Sequence, residues 1–399
     1  MIHVLADRIH AGALERNTRA SRHVFTYHPQ AAQEQAVSLT MPVRLQSYVS
    51  PPAFLHPIFD MNLPEGYLRS WLTKAIPNCD DLKLLQATGP SQLGRLEYRS
   101  SKRPGSDRLP EFRVADILTY DGARDLFQEL LSMYARASGV SGVQPKVLVR
   151  DPGHTKMSPD HKIAVRATTH IVKTWDNQYP HLTYNEHFCL LAARYAGLST
   201  PYWEISENGK FLVVERFDLT EENRYLGFED FCVLAGLPSA KKYQGSYEQL
   251  TKVLKNFLFQ EELNTGLADL FKMIALCVVL RNGDAHRKNF CLIYNSPELR
   301  RGSLAPTFDV VTTTAYLPND VMALTMDGSK RWPHQKRLLS FARNHCGLQH
   351  KHAVRILEEV KQGVSEAREK LKKGIFQLKG FSQVGRNMLQ EWEKGLQEI

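Results

Sequence analysis

Polar side chains of five kinds, namely Asp, His, Arg, Lys and Asn, stand close together in the segment NGDAHRKNFCLIY, residues 282–294. The apolar run LFKMIALCVVL before them predicts a buried helix, and FCLIY predicts a strand. A loop between such elements can project these groups into one cleft. They favour phosphoryl transfer from ATP, which needs a carboxylate to accept the proton of the attacking hydroxyl, oxygen ligands for Mg²⁺, and cations.

Two carboxylates and one carboxamide are candidates for the central roles. Asp284 and Asn289 are separated by four residues, the spacing of the Asp and Asn in the protein-kinase catalytic loop. In that interpretation Asp284 is the base and Asn289 is a metal ligand. Asp309 follows twenty residues later in LAPTFDVV, where it could meet the same ion. Pairs at this spacing also arise by chance, so the flanking NGDAH and FDVV carry the functional interpretation.

Four upstream residues are candidates for holding a nucleotide. Lys173 stands in the middle of HIVKTW, where it is either on the exposed side of a strand or the phosphate-binding lysine of a kinase N-lobe. Glu186, on a predicted helix, could hold this lysine in place. In VVERF, Glu215 and Phe217 would offer backbone groups to the adenine edge as a hinge.

The small-residue stretch SGVSGVQPK, residues 138–146, could bind phosphate through backbone N–H groups, because small side chains let the chain approach closely. It does not match the G-x-x-x-x-G-K-[ST] pattern, which argues against a Walker-type nucleotide site. An ordinary flexible turn explains the same residues equally well.

Composition indicates a globular protein of two or three domains. The 399 residues are 43% hydrophobic and 23% charged, and no apolar stretch reaches the roughly 20 residues that a membrane span needs. The N-terminus has charges among its apolar residues, unlike a secretion signal. Six cysteines without a CxxC pair predict free thiols in a reducing cytoplasm. The net charge of +9 invites a nucleic-acid hypothesis, but the charges are spread out and no DNA- or RNA-binding signature accompanies them.

Apolar patterns in the first part of the chain predict a β-rich module. IHVLAD, HVFTYH and AVSLTMPV alternate apolar and polar residues, as half-exposed antiparallel strands do. The Pro-Glu-Gly sequence at residues 64–66 predicts a turn into an amphipathic helix. Residues 100–110, rich in Pro, Gly and Ser, are the best candidate for a linker.

Beyond this linker the patterns predict a second sheet and then mainly helices. RDLFQELLSMYARA predicts a helix, and VLVR and THIVKTW predict strands. YNEHFCLLAARYAGLSTP has helical spacing, with Gly197 at the C-terminal cap. YWEIS and KFLVVERF predict a hairpin turned at residues 207–209, and from about residue 226 the chain is predicted to be mostly helical.

Taken as a set, these motifs resemble the HipA family of bacterial serine/threonine kinases, the toxins of toxin–antitoxin pairs. Six motifs stand in family order: SGVQPK, HIVK, NEHFCLLAARYAGL, VVERFD, NGDAHRKNF and LAPTFDVV. AVSLTMPV and NLPEG are similar to the family's accessory domain, so the resemblance covers nearly the whole chain.

The resemblance implies an α+β, two-lobed protein-kinase-like fold with an N-terminal β-rich subdomain and a mainly helical C-terminal lobe. The corresponding domains are residues 1–104, 105–217 and 218–399. It also implies ATP and Mg²⁺ as cofactors, and inhibition of translation by phosphorylation of an aminoacyl-tRNA synthetase. The expected partner is a helix-turn-helix antitoxin similar to HipB. DNA is expected to be contacted only through that antitoxin, no membrane is expected to be involved, and the cytoplasm is the expected location.

Carried onto this sequence, the family's roles make Asp284 the catalytic residue and Asn289 and Asp309 the metal ligands. The residues that the resemblance assigns to the nucleotide come from the phosphate loop, the lysine strand, the hinge and the catalytic loop. They are Gln144, Lys146, Lys173, Glu215, Phe217, His286 and Lys288.

One position departs from the family's pattern. Members often carry, ahead of the small-residue stretch, a serine that the kinase phosphorylates on itself to switch off. Gly139 stands at the aligned position here, with Ser138 and Ser141 on either side. Autophosphorylation could therefore use Ser141 or Ser138, or be absent.

Two alternatives stay open beside the kinase toxin. One is a catalytically silent kinase-like scaffold that binds a DNA-binding antitoxin and regulates transcription. The net positive charge of the chain favours this alternative. The other is a small-molecule phosphotransferase, because sugar and antibiotic kinases share the D-x-x-x-x-N arrangement.

Overall fold

A computed structural model of the protein describes most of the chain. The described residues are 1–17, 20–100, 109–140, 142, 144–153, 168–220, 224–298 and 301–399. Most of the predicted linker at residues 100–110 therefore lies outside the described residues, as does Ser141.

A five-stranded antiparallel sheet forms the start of the chain, in the order β4-β3-β2-β1-β5. Its strands are β1 Ile2–Ala6, β2 Ile9–Asn17, β3 Arg22–Tyr27, β4 Tyr48–Val49 and β5 Leu96–Arg99. The strand predictions for IHVLAD and HVFTYH are confirmed. Between β4 and β5 lie three helices, α1 Pro57–Met61, α2 Gly66–Ala75 and α3 Asp81–Thr88. The predicted turn at residues 64–66 does lead into a helix, α2.

The strand prediction for AVSLTMPV is wrong. This segment makes only an isolated bridge between Ser38 and Met41. Its backbone donors are taken by side chains, since the amide of Leu39 donates to the Glu229 carboxylate at 2.8 Å and that of Val37 to the Tyr27 hydroxyl at 2.9 Å. These tertiary contacts compete with strand pairing, and a local pattern cannot reveal them.

A four-stranded sheet follows, in the order β6-β7-β9-β8. Two helices precede the sheet in the chain, and a third helix lies between strands β7 and β8. The bounds are α4 Val114–Leu118, α5 Leu126–Tyr134, β6 Lys146–Val149, β7 His170–Lys173, α6 Leu182–Tyr195, β8 Trp203–Ile205 and β9 Leu212–Glu215. Gly197 ends α6 with a left-handed φ of +76°, as predicted. Gly209, with φ +68°, makes the predicted turn between β8 and β9.

The rest of the chain is mainly helical, as predicted, with three short strands in the order β10-β11-β12. The bounds are β10 Gly227–Asp230, α7 Phe231–Leu234, α8 Tyr247–Phe257, α9 Gln260–Val279, β11 Cys291–Tyr294, β12 Gly302–Leu304, α10 Gln335–Asn344, α11 His350–Gln377 and α12 Ser382–Glu398. The apolar run before the polar loop is helix α9, and the run after it is strand β11.

Two compact units divide the chain discontinuously. The first comprises residues 1–174, 213–240 and 292–300, and the second comprises residues 175–212, 241–291 and 301–399. The division into domains at residues 104 and 217 stays a prediction. No helix among the described residues combines the length and apolar character that crossing a membrane requires. All six cysteines are free thiols, five of them buried.

A buried ion pair with further hydrogen bonds organises the first unit. The Arg216 guanidinium contacts the Asp218 carboxylate at 2.6 Å and also donates to the Thr168 hydroxyl at 2.7 Å and the Gln92 carbonyl at 2.6 Å. The Gly94 amide donates to Asp218 at 2.5 Å. Because removing one partner of a buried pair leaves the other charge uncompensated, this network is sensitive to single substitutions.

We expect Asp218→Asn to lower the free energy of unfolding by about 3 kcal/mol, because buried Arg216 loses its counter-charge. Urea denaturation of the purified protein measures this. The matched control is Glu129→Gln, which breaks the exposed Arg124–Glu129 pair of the same unit and is expected to cost less than about 1 kcal/mol. Equal effects of the two substitutions would contradict the importance of the buried pair.

Candidate functional site

The polar loop after α9 is held in shape by its own first residues. The side-chain oxygen of Asn282 accepts the amide of Asp284 at 3.0 Å, and the Gly283 amide donates to the Thr313 hydroxyl at 2.8 Å. Gly283 also allows a close approach: a Cβ there would lie 2.0 Å from a carboxylate oxygen of Asp320. The glycine of NGD is therefore required by packing, and it brings Asp320 next to the loop.

Asp284 presents its carboxylate partly to solvent, with 48% of the side chain exposed. One carboxylate oxygen accepts the Tyr243 hydroxyl at 2.5 Å, and Nε2 of His286 lies 3.9 Å from the same oxygen. The Tyr243 ring packs against the edge of the His286 ring, with centroids 4.9 Å apart. The carboxylate is thus oriented by neighbours while staying accessible to a substrate.

The pKa of the Asp284 carboxyl is raised above its ordinary value, first by partial burial and then by the negative charges of Asp309 and Asp320. The Tyr243 hydrogen bond and the Lys242 charge oppose the rise in pKa. A raised pKa suits a general base, because a stronger base takes a proton more readily as long as it stays deprotonated at the working pH.

Asn289 contacts Asp309, whose charge acts on the Asp284 carboxylate. The Asn289 side-chain amide donates to the Asp309 carbonyl at 3.2 Å, which fixes the orientation of the carboxamide. Its Oδ1 is buried and has no hydrogen-bond partner among the described residues. Asp309 adopts a left-handed backbone with φ +51°, a conformation that non-glycine residues rarely take outside functional sites and turns. A buried oxygen in need of a partner, next to carboxylates, fits a hard divalent cation.

The segment after Asp309 is clamped by two helices of the same unit. The Asn185 side chain of α6 donates to the Thr312 carbonyl at 3.0 Å and accepts the Thr312 amide at 2.8 Å. The Trp392 indole of α12 donates to the Thr312 hydroxyl at 2.7 Å. These contacts fix the backbone that carries Asp309.

The remaining predicted site residues fall in both units. His286 and Lys288 are buried in the polar loop of the second unit, and Glu186 is buried on α6. In the first unit, buried Lys146 and Lys173 stand opposite each other on β6 and β7. Their roles, including the predicted contact between Lys173 and Glu186, stay predictions.

The phosphate-loop and hinge residues also lie in the first unit. The Gln144 amide donates to the Thr174 carbonyl at 3.1 Å. Glu215 ends β9, and the half-buried Phe217 ring packs on Phe228 with centroids 5.9 Å apart. Nucleotide binding by these residues stays a prediction.

Of the two autophosphorylation candidates, only Ser138 is described. It is fully buried, and its hydroxyl donates to the Tyr134 carbonyl and accepts the Leu148 amide, both at 2.8 Å. Its modification would require this part of the unit to open first. Ser141 lies outside the described residues.

Sequence reasoning missed Tyr243, Asn185 and Asp320. Tyr243 is 41 residues from Asp284, and Asn185 is 127 residues from Thr312. No spacing rule links residues so far apart. For Asp320 the adjacent glycine of NGD was the only available signal, and it indicated close packing without naming the neighbour.

A second group of potential metal ligands lies elsewhere in the second unit. One ligand atom each of Glu248, Asp327 and His345 falls within 4.8 Å of the others. However, Glu248 accepts the Asp327 amide at 2.8 Å and Asp327 pairs with Arg337 at 3.3 Å. These groups are engaged with each other and with an arginine, so they do not indicate an ion.

The fold and this loop define an α+β protein with a β-rich N-terminal region and a mainly helical C-terminal region that carries the candidate site. Residues 2–99 match the HipA N-terminal domain, and residues 138–368 match the HipA-like C-terminal domain. The chain belongs to the HipA family. The predicted family resemblance is thereby confirmed.

Individual relatives agree with this assignment. The proteins named "Putative kinase Y4mE" and "Putative kinase Y4dM" of Sinorhizobium fredii are each 28% identical, over 65% and 69% of the chain. The matches span 64% and 66% of those relatives' own lengths. A chain of the Shewanella oneidensis MR-1 toxin–antitoxin complex of HipA, HipB and operator DNA has a TM-score of 0.68 at 19% identity, covering 99% of this chain and 97% of that one. The predicted fold class is confirmed.

Proposed function

We propose that the chain is an ATP- and Mg²⁺-dependent serine/threonine protein kinase that acts as the toxin of a toxin–antitoxin pair. The observation that carries this proposal is the grouping of Asp284, Asn289 and Asp309 in one part of the second unit. The charge of Asp309 acts on the partly exposed Asp284 carboxylate, and Asn289, which donates to the Asp309 carbonyl, has a buried Oδ1 without a hydrogen-bond partner among the described residues. Because a buried polar atom without a partner is rare in native structures, the Asn289 oxygen supports a bound ion at this place.

Each of these residues has a definite role in the proposed reaction. Asp284 orients the acceptor hydroxyl and takes its proton at a carboxylate oxygen. Asn289 Oδ1 and the Asp309 carboxylate would hold Mg²⁺, which when bound offsets negative charge on the phosphates. The hydrogen bond from the Asn289 side chain to the Asp309 carbonyl would hold the two proposed ligands in a fixed relative position.

Nucleotide contacts complete the proposal. Lys173 and Lys146 would offset phosphate charge from two adjacent strands, while Gln144 would cover the nucleotide. Glu215 and Phe217 would offer backbone groups to adenine. His286 and Lys288 would contact the phosphates from the catalytic loop.

The biological setting rests on the family. The related structure from Shewanella oneidensis is titled as a complex of HipA with HipB and operator DNA. We accordingly propose a HipB-like helix-turn-helix antitoxin as partner, with DNA contacted only through it, and a cytoplasmic location. An aminoacyl-tRNA synthetase as substrate, and inhibition of translation through it, follow from the family resemblance.

Incubation of a whole-cell lysate with radiolabelled ATP and the purified protein tests this function. One dominant labelled protein, absent when Asp284→Asn replaces the natural chain, is the expected result, and mass spectrometry then identifies the substrate. A folded protein that labels nothing but still binds a helix-turn-helix partner would favour the catalytically silent scaffold.

The clamp on Thr312 provides a further prediction. We expect Asn185→Ala to weaken Mg²⁺ affinity by roughly 10- to 100-fold, because the backbone that carries Asp309 loses both side-chain hydrogen bonds. A Mg²⁺ titration of nucleotide binding measures this. The matched control is Asn264→Ala at an exposed position on α9, which should leave the affinity unchanged. The same affinity in both variants would show that the clamp does not support the ligands.

A further inference from the structure

Tyr243 places a hydroxyl on the proposed catalytic carboxylate. The residue lies just before α8, and its side chain is 43% exposed. Its hydroxyl donates to a carboxylate oxygen of Asp284 at 2.5 Å. This is the contact that a phosphoryl acceptor makes with a general base before transfer.

The catalytic loop itself holds the backbone on both sides of Tyr243. The Arg287 amide donates to the Lys242 carbonyl at 3.2 Å, and Nε of Arg287 donates to the Gln244 carbonyl at 2.8 Å. The same guanidinium also contacts the Gln249 side chain. Arg287 is buried and lies three positions after Asp284, so one loop fixes both the base and the tyrosine that touches it.

Packing alone does not account for this tyrosine. Its ring meets the edge of the His286 ring, but 43% of the residue's surface stays in solvent, and that part adds no apolar burial to stability. Because the residue lies outside the buried core, a movement of its ring toward solvent would open no cavity there. The hydroxyl therefore reaches the carboxylate from a partly exposed position.

We propose that Tyr243 is an internal phosphoryl acceptor, a modification site used by the same carboxylate that serves protein substrates. The inference rests on the proposed function, which supplies ATP. The bond between the γ-phosphorus and the β,γ-bridging oxygen breaks, a P–O bond forms to the Tyr243 hydroxyl oxygen, the phenolic proton passes to Asp284, and ADP leaves. Because the Tyr243 phenol is already held at the base, the transfer is intramolecular. It can therefore occur even in an enzyme that does not prefer tyrosine in its external substrates.

Modification would change the acceptor position. The new phosphate would carry close to two negative charges, and it would lie at Asp284, on which the negative charges of Asp309 and Asp320 already act. Repulsion would keep the modified ring away from Asp284 and move it toward solvent, where Lys242 lies beside the ring, 5.5 Å from its centroid. The carboxylate oxygen that had accepted the Tyr243 hydroxyl would then be available to an external hydroxyl.

Phosphopeptide mapping of the full chain after incubation with Mg²⁺ and ATP tests this inference. We expect phosphate on Tyr243 in the natural chain and none there in Asp284→Asn. Because the hydroxyl touches the carboxylate of its own chain, the modified fraction should grow at a rate independent of protein concentration. Tyr202 is the internal control: it is more exposed, at 56%, and should stay unmodified.

A second variant separates this inference from the proposed function. Tyr243→Phe keeps the ring and removes the hydroxyl, so self-labelling of the chain should fall, while transfer to an external substrate at any rate shows that the proposed kinase is active. If the natural chain labels an external substrate but carries no phosphate on Tyr243, the inference is overturned and the proposed kinase activity stands. Equal modification of Tyr202, or modification that persists in Asp284→Asn, would also overturn it. No transfer to any acceptor would overturn both.

Discussion

Replacing Asp284 with Asn is expected to lower the rate of phosphoryl transfer by ~10²- to 10⁴-fold. The carboxamide has nearly the same shape and can still accept the Tyr243 hydroxyl, but it cannot take the proton of an acceptor hydroxyl. Single-turnover transfer from labelled ATP to the identified substrate measures the loss. In cells, expression of the natural chain should arrest growth, and expression of the variant should not.

The direction of the Asp284 pKa adds a second readout. Because the pKa is raised, mainly by burial, the base becomes protonated at a higher pH than an ordinary aspartate would. As the pH is lowered, activity should therefore begin to fall at a higher pH than it would with an unperturbed carboxylate as the base. Asp269→Asn on α9 is the matched control, since that carboxyl is also partly buried with a raised pKa and lies outside the polar loop. Comparable losses of transfer activity in Asp284→Asn and Asp269→Asn would contradict a special role for Asp284.

Replacing Asn289 with Ala is expected to lower kcat/KM by on the order of 10³-fold, because one oxygen ligand of the proposed Mg²⁺ site disappears along with several kcal/mol of charge stabilisation. The Mg²⁺ concentration needed for nucleotide binding should rise at the same time. Calorimetric titration of nucleotide at several Mg²⁺ concentrations separates a lost ligand from a general loss of activity.

Two further substitutions make the Asn289 experiment specific. Asn289→Asp keeps an oxygen at the ligand position and should retain more Mg²⁺-dependent binding than Asn289→Ala. Asn344→Ala, at the exposed end of α10, should behave like the natural chain. If Asn289→Ala binds nucleotide with an unchanged Mg²⁺ requirement, Asn289 is not a metal ligand.

The elements around the site could be predicted because their causes are local. The apolar run that became α9 and the short run that became β11 bracket the polar loop, and both are readable from periodicity. Gly197 and Gly209 could be placed because a left-handed backbone favours glycine at a helix end and in a turn.

The parts that could not be predicted depend on partners far away in the chain. Leu39 is 190 residues from Glu229, whose carboxylate takes the amide that a strand would have used. The contact of Tyr243 with Asp284 likewise follows from the folded path and not from a motif. The family resemblance supplied the roles of the nucleotide residues, and those roles stay predictions.

The Arg216–Asp218 network connects the two family domains of the chain through side-chain hydrogen bonds. Arg216 lies between Glu215 and Phe217, the predicted hinge, and its guanidinium is held by the Gln92 carbonyl. A fragment that began after the N-terminal domain would lack Gln92, and the buried Arg216 guanidinium would lose one of its hydrogen-bond acceptors. The strand of the predicted hinge is thus anchored in residues that family boundaries assign to a separate domain. If the hinge holds adenine as proposed, a protein that binds this domain would alter nucleotide affinity without touching the nucleotide.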